Sequence, residues 1–226
     1  DLDAHLRWNR HFEYVMMVRS IDINLQGGAL VPTGITSNVN TPVSLSVGSN
    51  GHWGMYGDVL AVFELKQDWT LGLLMGLAHL FPHTRTMRIP VGSEPAIFSA
   101  LVGRVRVEPA LTFKFSPYFT LGNLADGLDF QVRYTYLRHN TDFWKDMRSD
   151  KAVPSFLDKG GSVVDQQFDL TRWRAHYVSF QVSYNPEEAM KKIALDPIFF
   201  AMYDMPIGGS GVAKAHQFSF GAELHF

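Results

Sequence analysis

Read back from its carboxy-terminal end, the chain alternates. Phe226, Leu224, Ala222, Phe220 and Phe218 are apolar, whereas His225, Glu223, Gly221, Ser219 and Gln217 are polar or small. A period of two describes a strand with one dry and one wet face. The same rhythm recurs upstream, where Val59, Ala61, Phe63 and Leu65 oppose Asp58 and Glu64. After a tight turn at Lys66-Gln67-Asp68, Trp69, Leu71, Leu73, Met75 and Leu77 oppose Thr70, Gly72, Gly76 and Ala78, completing the clearest hairpin in the sequence. From Ala96 a single register runs through Leu101, Gly103, Val105, Val107, Leu111, Phe113 and Phe115 against Arg104, Arg106, Glu108, Thr112 and Lys114. It predicts one long strand with a charged face, longer than soluble edge strands usually are. Further strands are predicted from Leu128, Phe130, Val132, Tyr134 and Tyr136, and from Val178, Phe180, Val182 and Tyr184.

The interruptions are equally informative. Phe12, Tyr14, Met16 and Val18 share one parity and Ile21, Ile23 and Leu25 the other. A one-residue slip turns a strand over, so either a bulge or a turn lies at Arg19 and Ser20. Residues 28–51 read as a long loop holding a short hairpin that closes on Asn50-Gly51, a favoured type I′ pair. Residues 81–95 read as a loop, 116–127 as a turn region ending in Asp126-Gly127, and 138–170 as the largest surface loop. Asn185-Pro186-Glu187-Glu188 has the cap, proline and first-turn acids of a helix start and predicts a short helix near 186–194. An apolar strand over 197–205 and a glycine-rich turn over 208–211 precede the terminal strand.

Composition narrows the class. The 226 residues are 13% aromatic and 19% charged and include 19 Gly and 11 Pro, which suits strands and turns better than helices. A net charge of −2 implies no polyanionic partner, so nucleic-acid binding is not expected. Without cysteine there is no disulfide scaffold, thiolate metal site or thiol catalysis. No apolar run reaches the roughly 18 residues of a transmembrane helix, yet a barrel strand needs only about 9 to 11 alternating residues. No signal peptide opens the chain, which for an exported protein means a mature form or a fragment.

The terminal strand, closing on an aromatic residue, resembles that of bacterial outer-membrane β-barrel proteins. The resemblance implies that Phe226, Leu224, Phe220 and Phe218 form the signal read by the barrel-assembly machinery. It also implies an outer-membrane location, with lipid and lipopolysaccharide as partners and the chain able to act as a homo-oligomer. Strand lengths, and aromatic residues such as Trp53, Trp69, Tyr134, Tyr136 and Tyr184 near strand ends, agree with such a barrel. The expected fold is all-β: a single antiparallel transmembrane up-and-down β-barrel domain over 1–226, of about eight strands within a range of about 8 to 12. An odd strand count would make the segment the carboxy-terminal part of a larger barrel.

In a barrel the apolar parity meets lipid and the charged parity faces the lumen. Arg104, Arg106, Glu108, Lys114, Asp129, Arg133, Glu64 and Asp58 are therefore the expected pore lining. In a wide barrel they set ion preference; in a narrow one they pair and fill the interior. The expected function is a porin-like passive channel for small solutes or ions. A plugged structural or adhesive barrel presenting its loops is the first alternative, and a soluble lipocalin-like carrier the second. No enzyme is expected: His52 beside Ser49-Asn50, or Asp58 with His79 or His83, gives no positioned nucleophile and base. The scattered histidines show no metal-ligand spacing, so neither metal nor cofactor is expected. Arg172 and Arg174, at the outer end of their strand, are candidates for contact with lipopolysaccharide phosphates.

Overall fold

The computed structural model describes residues 1–13, 18–41, 48–89, 101–148, 171–186, 196–212 and 214–225. They form β1 (Leu2–Glu13), β2 (Ser20–Val31), β3 (Gly54–Lys66), β4 (Trp69–Leu80), β5 (His83–Arg88), β6 (Val102–Glu108), β7 (Thr112–Ala125), β8 (Leu128–His139), β9 (Phe143–Asp146), β10 (Trp173–Tyr184), β11 (Asp196–Ser210) and β12 (Gln217–His225). Nine strands make one large sheet in the order β1-β2-β3-β4-β7-β8-β10-β11-β12, and β5-β6-β9 make a small one. Every pairing is antiparallel. The fold is thus all-β. Among the described residues the large sheet is open, because its edge strands β1 and β12 do not pair with each other.

Along one row the register carries the alternation from strand to strand without a flip, and shifts occur towards strand ends, between Glu64 and Lys66, Leu121 and Ala125, and His176 and Tyr177. This row runs Phe12, Ile21, Phe63, Leu71, Phe119, Val132, Phe180, Tyr203 and Phe218, one residue from each strand of the large sheet. A slip of one residue anywhere would break this row. The neighbouring row on the opposite face runs Glu13, Ser20, Glu64, Thr70, Thr120, Gln131, Gln181, Met202 and Ser219. The apolar face is the uncovered one: Leu77 is 49% exposed, Phe218 78% and Phe220 90%. Gly72, Gly76, Ser116 and Ser179, on the polar face, are buried.

Small residues on the polar face are occupied by their neighbours. The Tyr118 ring lies over Gly72, Tyr56 over Gly28 and Phe200 over Gly221, each pair facing across adjacent strands. Glycine opposite an aromatic lets the ring fold flat against the partner backbone, a device of curved sheets.

The small sheet is organised conventionally. Ile89 and Val105, both 0% exposed, and Val107 form its core, with Met87, Leu101 and Trp144 packed around them. Asp146 is buried and takes Arg148 Nε at 3.0 Å and a second guanidinium nitrogen at 2.7 Å. This sheet sits within the connections between β4 and β7 and between β8 and β10. Long connections, 32–53, 81–111 and 140–172, leave one end of the large sheet, while the turns 67–68 and 126–127 close the other.

Several expectations change. The slip at Arg19 and Ser20 is a chain reversal between β1 and β2, not a bulge, and β1 begins ten residues before Phe12, at Leu2. The single strand expected from Ala96 to Phe115 is two strands in two sheets, because Pro109 has no N–H for the ladder and β7 begins only at Thr112. The loop expected over 81–95 contains β5, and the one over 138–170 contains β9. The turn region expected over 116–127 shrinks to Asp126-Gly127, since β7 continues to Ala125. β11 runs through Gly208 and Gly209 to Ser210, so the turn starts later than expected. Among the described residues there are nine strands in the large sheet and twelve in all, above the central expectation of about eight and within its range of about 8 to 12. Asn50 (φ 53°) and Gly51 (φ 86°) adopt the left-handed conformations of a type I′ turn, with His52 N–H donating to the Ser49 carbonyl at 3.1 Å. The helix expected near 186–194 lies outside the described residues after Pro186, as does the short hairpin's 42–47.

Candidate functional site: the polar face of the large sheet

The polar face gathers ionisable side chains from strands far apart in sequence. Asp58, Gly76 and Lys114 are successive cross-strand partners, and the Asp58 carboxylate leans over Gly76. Asp58 and Lys114 join Arg7, Asn24, Gln26, Leu60 and Leu74 around an open cleft of about 280 Å³. Arg7 Nε donates to Asn24 at 2.5 Å and to Asn9 at 3.2 Å, and His11 meets Asp22 at 2.6 Å.

A second cleft of about 330 Å³ is lined by Arg133, Thr135, Tyr177, Ser179, Met202, Asp204, Ala215 and Gln217. Arg133 stands 5.3 Å from the Tyr118 ring centre and donates to Gln131 at 2.9 Å, which in turn donates to Thr120 at 2.9 Å. At the short-turn end, Glu64 accepts from Arg19 at 3.0 Å and Ser20 at 2.9 Å, while Asp129 accepts the Asn123 N–H at 2.9 Å.

Of the expected pore lining, Asp58, Glu64, Lys114, Asp129 and Arg133 share this face. Arg104, Arg106 and Glu108 do not: they lie on β6 of the small sheet, where Arg106 and Glu108 form an exposed pair at 2.8 Å. Sequence reasoning missed Arg7, Asp22 and Asp204. Their signal was present, since each occupies the polar parity of its own strand; Arg7 and Asp204 were lost because β1 before Phe12 and the facing of β11 were not recognised, whereas Asp22 lies on a run whose alternation is read. Phe218 and Phe220 stand exposed on the apolar face of β12. Leu224 holds its register place opposite Pro197, and Phe226 lies outside the described residues.

At the long-loop end, Thr112, His139 and Asp142 form a chain, with His139 Nδ1 2.8 Å from the Thr112 hydroxyl and Nε2 2.7 Å from Asp142. Asp142 also accepts the Ala110 N–H at 2.8 Å, and its own N–H donates to Thr171 at 2.8 Å. The chain clamps the break between the two sheets. His52 is buried beside it, donating Nδ1–H to the Phe81 carbonyl at 2.9 Å. Burial pushes the His52 imidazole below its ordinary pKa and keeps it neutral. Arg85 donates to the Asn50 carbonyl at 2.9 Å, tying the type I′ turn to β5. No group of three metal-ligating side chains occurs among the described residues. No helix among them is long and apolar enough to cross a membrane, which has no bearing on crossing by strands.

Compared with known protein families and with curated proteins, the chain matches no family model and no curated sequence.

Proposed function

We propose that the large sheet is the wall of a bacterial outer-membrane β-barrel and that the protein is a porin-like passive channel for small solutes or ions. The observation that carries this reading is the facing of the sheet. Large apolar side chains such as Leu71, Met75, Leu77, Phe218 and Phe220 stand exposed on its apolar face, while Gly72, Gly76, Ser116 and Ser179 on its polar face are buried, the reverse of a water-soluble sheet. A soluble carrier would fold those phenylalanines and leucines inward.

Strand length supports the same reading. Twelve residues, the length of β1, β2, β4, β8 and β10, extend about 40 Å, and at a barrel tilt near 45° cross about 28 Å, close to the hydrocarbon thickness. The three longest connections lie at one end and both two-residue turns at the other, in keeping with outer loops and periplasmic turns. Three arginines lie on the apolar parity: Arg10 of edge strand β1, stacked 5.3 Å from the Phe12 ring centre, and Arg138 and Arg174 at the long-connection ends of β8 and β10.

The pairings along the polar face favour a second reading, a narrow barrel whose interior is filled by its own side chains. Tyr118 over Gly72 and the Arg133-Gln131-Thr120 chain occupy lumen space in that case. Planar-bilayer recording separates the two. A channel gives discrete conductance steps that change when Asp58, Lys114 or Arg133 is neutralised, and a protein that inserts but never conducts ends the channel reading.

A further inference from the structure

On the reading that the large sheet spans the outer membrane, one feature of its apolar face calls for a ligand. Arg138 of β8 and Arg174 of β10 are direct cross-strand partners, and both are exposed. Like charges placed directly opposite each other destabilise a sheet. Neither guanidinium has an ion pair or side-chain hydrogen bond among the described residues. Among the described side chains, the acids of the large sheet's strands, Asp3, Glu13, Asp22, Asp58, Glu64, Asp129, Asp204 and Glu223, all fall on the other parity. The counter-ion has to come from outside the sheet.

Position specifies that counter-ion. The pair stands at the long-connection end of the strands, and Phe113 is Arg138's other cross-strand neighbour. One row nearer the sheet's middle lies an aromatic group: Tyr136 and His176 rings 4.8 Å apart, with the Tyr134 hydroxyl 2.7 Å from His176 Nδ1. Rings just inside and cations just outside is the order of a membrane interface, hydrocarbon meeting headgroup. Exposed Arg172, two residues beyond Arg174, extends the positive edge.

We propose that Arg138 and Arg174 form a binding site for the phosphate of an outer-leaflet lipid headgroup, with the Tyr134, Tyr136 and His176 rings beneath its sugar or acyl junction. Paired guanidinium forks match phosphate oxygens in geometry and charge. Bound phosphate turns the repulsion between the two arginines into shared attraction.

The test uses the full chain in neutral detergent, titrated with bisphosphorylated lipid A, dephosphorylated lipid A or inorganic phosphate and read by native mass spectrometry and thermal unfolding. Bisphosphorylated lipid A should be retained and should raise the unfolding midpoint; the other two should do neither. In R138Q/R174Q, lipid A retention should fall by about tenfold or more, as expected for losing charge-assisted contacts. The same variant should unfold no earlier than wild type without lipid, because a like-charge contact has gone. Equal binding by the variant, equal binding of dephosphorylated lipid, or saturation by inorganic phosphate alone would overturn the proposal. Flotation with zwitterionic phosphatidylcholine vesicles reads membrane insertion separately, so failure of the barrel reading is distinguishable from failure of this site.

Discussion

The two sheets of this protein use the same alternation of apolar and polar residues and face it in opposite directions. In β6, the odd positions Val105 and Val107 are buried and the even positions Arg104 and Arg106 are exposed. In β7, a few residues later, the odd positions Phe113, Phe115 and Phe119 join the apolar face of the large sheet, while Ser116, on the even parity, is buried. The same parity thus points into a core on one side of Pro109 and away from one on the other. Periodicity reports that a strand has two unlike faces, and only the surroundings decide which is covered.

That contrast can be broken from either side, and the largest effect is expected in the small sheet. Val105→Asp puts an uncompensated charge in its core and should destabilise it by about 3–5 kcal/mol. Limited proteolysis should then cut within 83–108 while the large sheet stays resistant; unchanged protection would mean that this sheet has no core of its own. Next comes Met75→Arg on the apolar face, expected to cost about 2–4 kcal/mol in lipid, as arginine does at the lipid face of a barrel. Leu74→Arg, one residue away on the polar face, should cost about 1 kcal/mol or less, within the range of changes that bury no charge. Unfolding in liposomes measures both, and equal costs would remove the distinction between the faces.

A smaller effect is expected at Gly72. An added Cβ there meets the Tyr118 ring, so Gly72→Ala should cost about 1–3 kcal/mol as overpacking does. Gly72→Ala/Tyr118→Ser should recover most of it; no recovery would mean that the backbone, not the ring, resists the methyl. The smallest concerns His52. Its imidazole is held below the ordinary value of 6.5 by burial, so the unfolded chain takes up its proton first as pH falls. Its contribution to stability is therefore full above pH 6.5 and declines below it towards the folded-state pKa. Thermal unfolding of wild type against His52→Gln across that range should show the wild type losing the greater share in acid.

Much of this architecture was legible in the alternation, because a strand with unlike faces must repeat every second residue. β3 and β4 were read with their turn, and the runs of β8, β10 and β12 were placed within a few residues. What stayed hidden has physical causes. The part of β1 before Phe12 was not read because Arg10 interrupts its apolar parity, and the contribution of Arg7 to the polar face was lost with it. β6 and β7 were fused because Leu101 to Phe115 keeps one parity across the break at Pro109, so no slip marks the boundary. β5 and β9 are short and draw their stability from packing around Val105 and Trp144, which no local pattern encodes. Arg104, Arg106 and Glu108 were assigned to the polar face of the large sheet through that same fusion. The pairing of Arg138 with Arg174 exists only in the register between β8 and β10, and so required the fold.

The facing of the large sheet can be measured directly because the chain contains no cysteine. Single substitutions Phe63→Cys and Leu71→Cys on the apolar row, and Glu64→Cys and Thr70→Cys on the polar row, would each be reconstituted in liposomes and exposed to a water-soluble maleimide. Cysteines at 64 and 70 should react, and those at 63 and 71 should stay unlabelled until the bilayer is dissolved under denaturing conditions. Rapid labelling at 63 and 71 with protection at 64 and 70 would place the apolar row against water or protein and contradict the membrane wall.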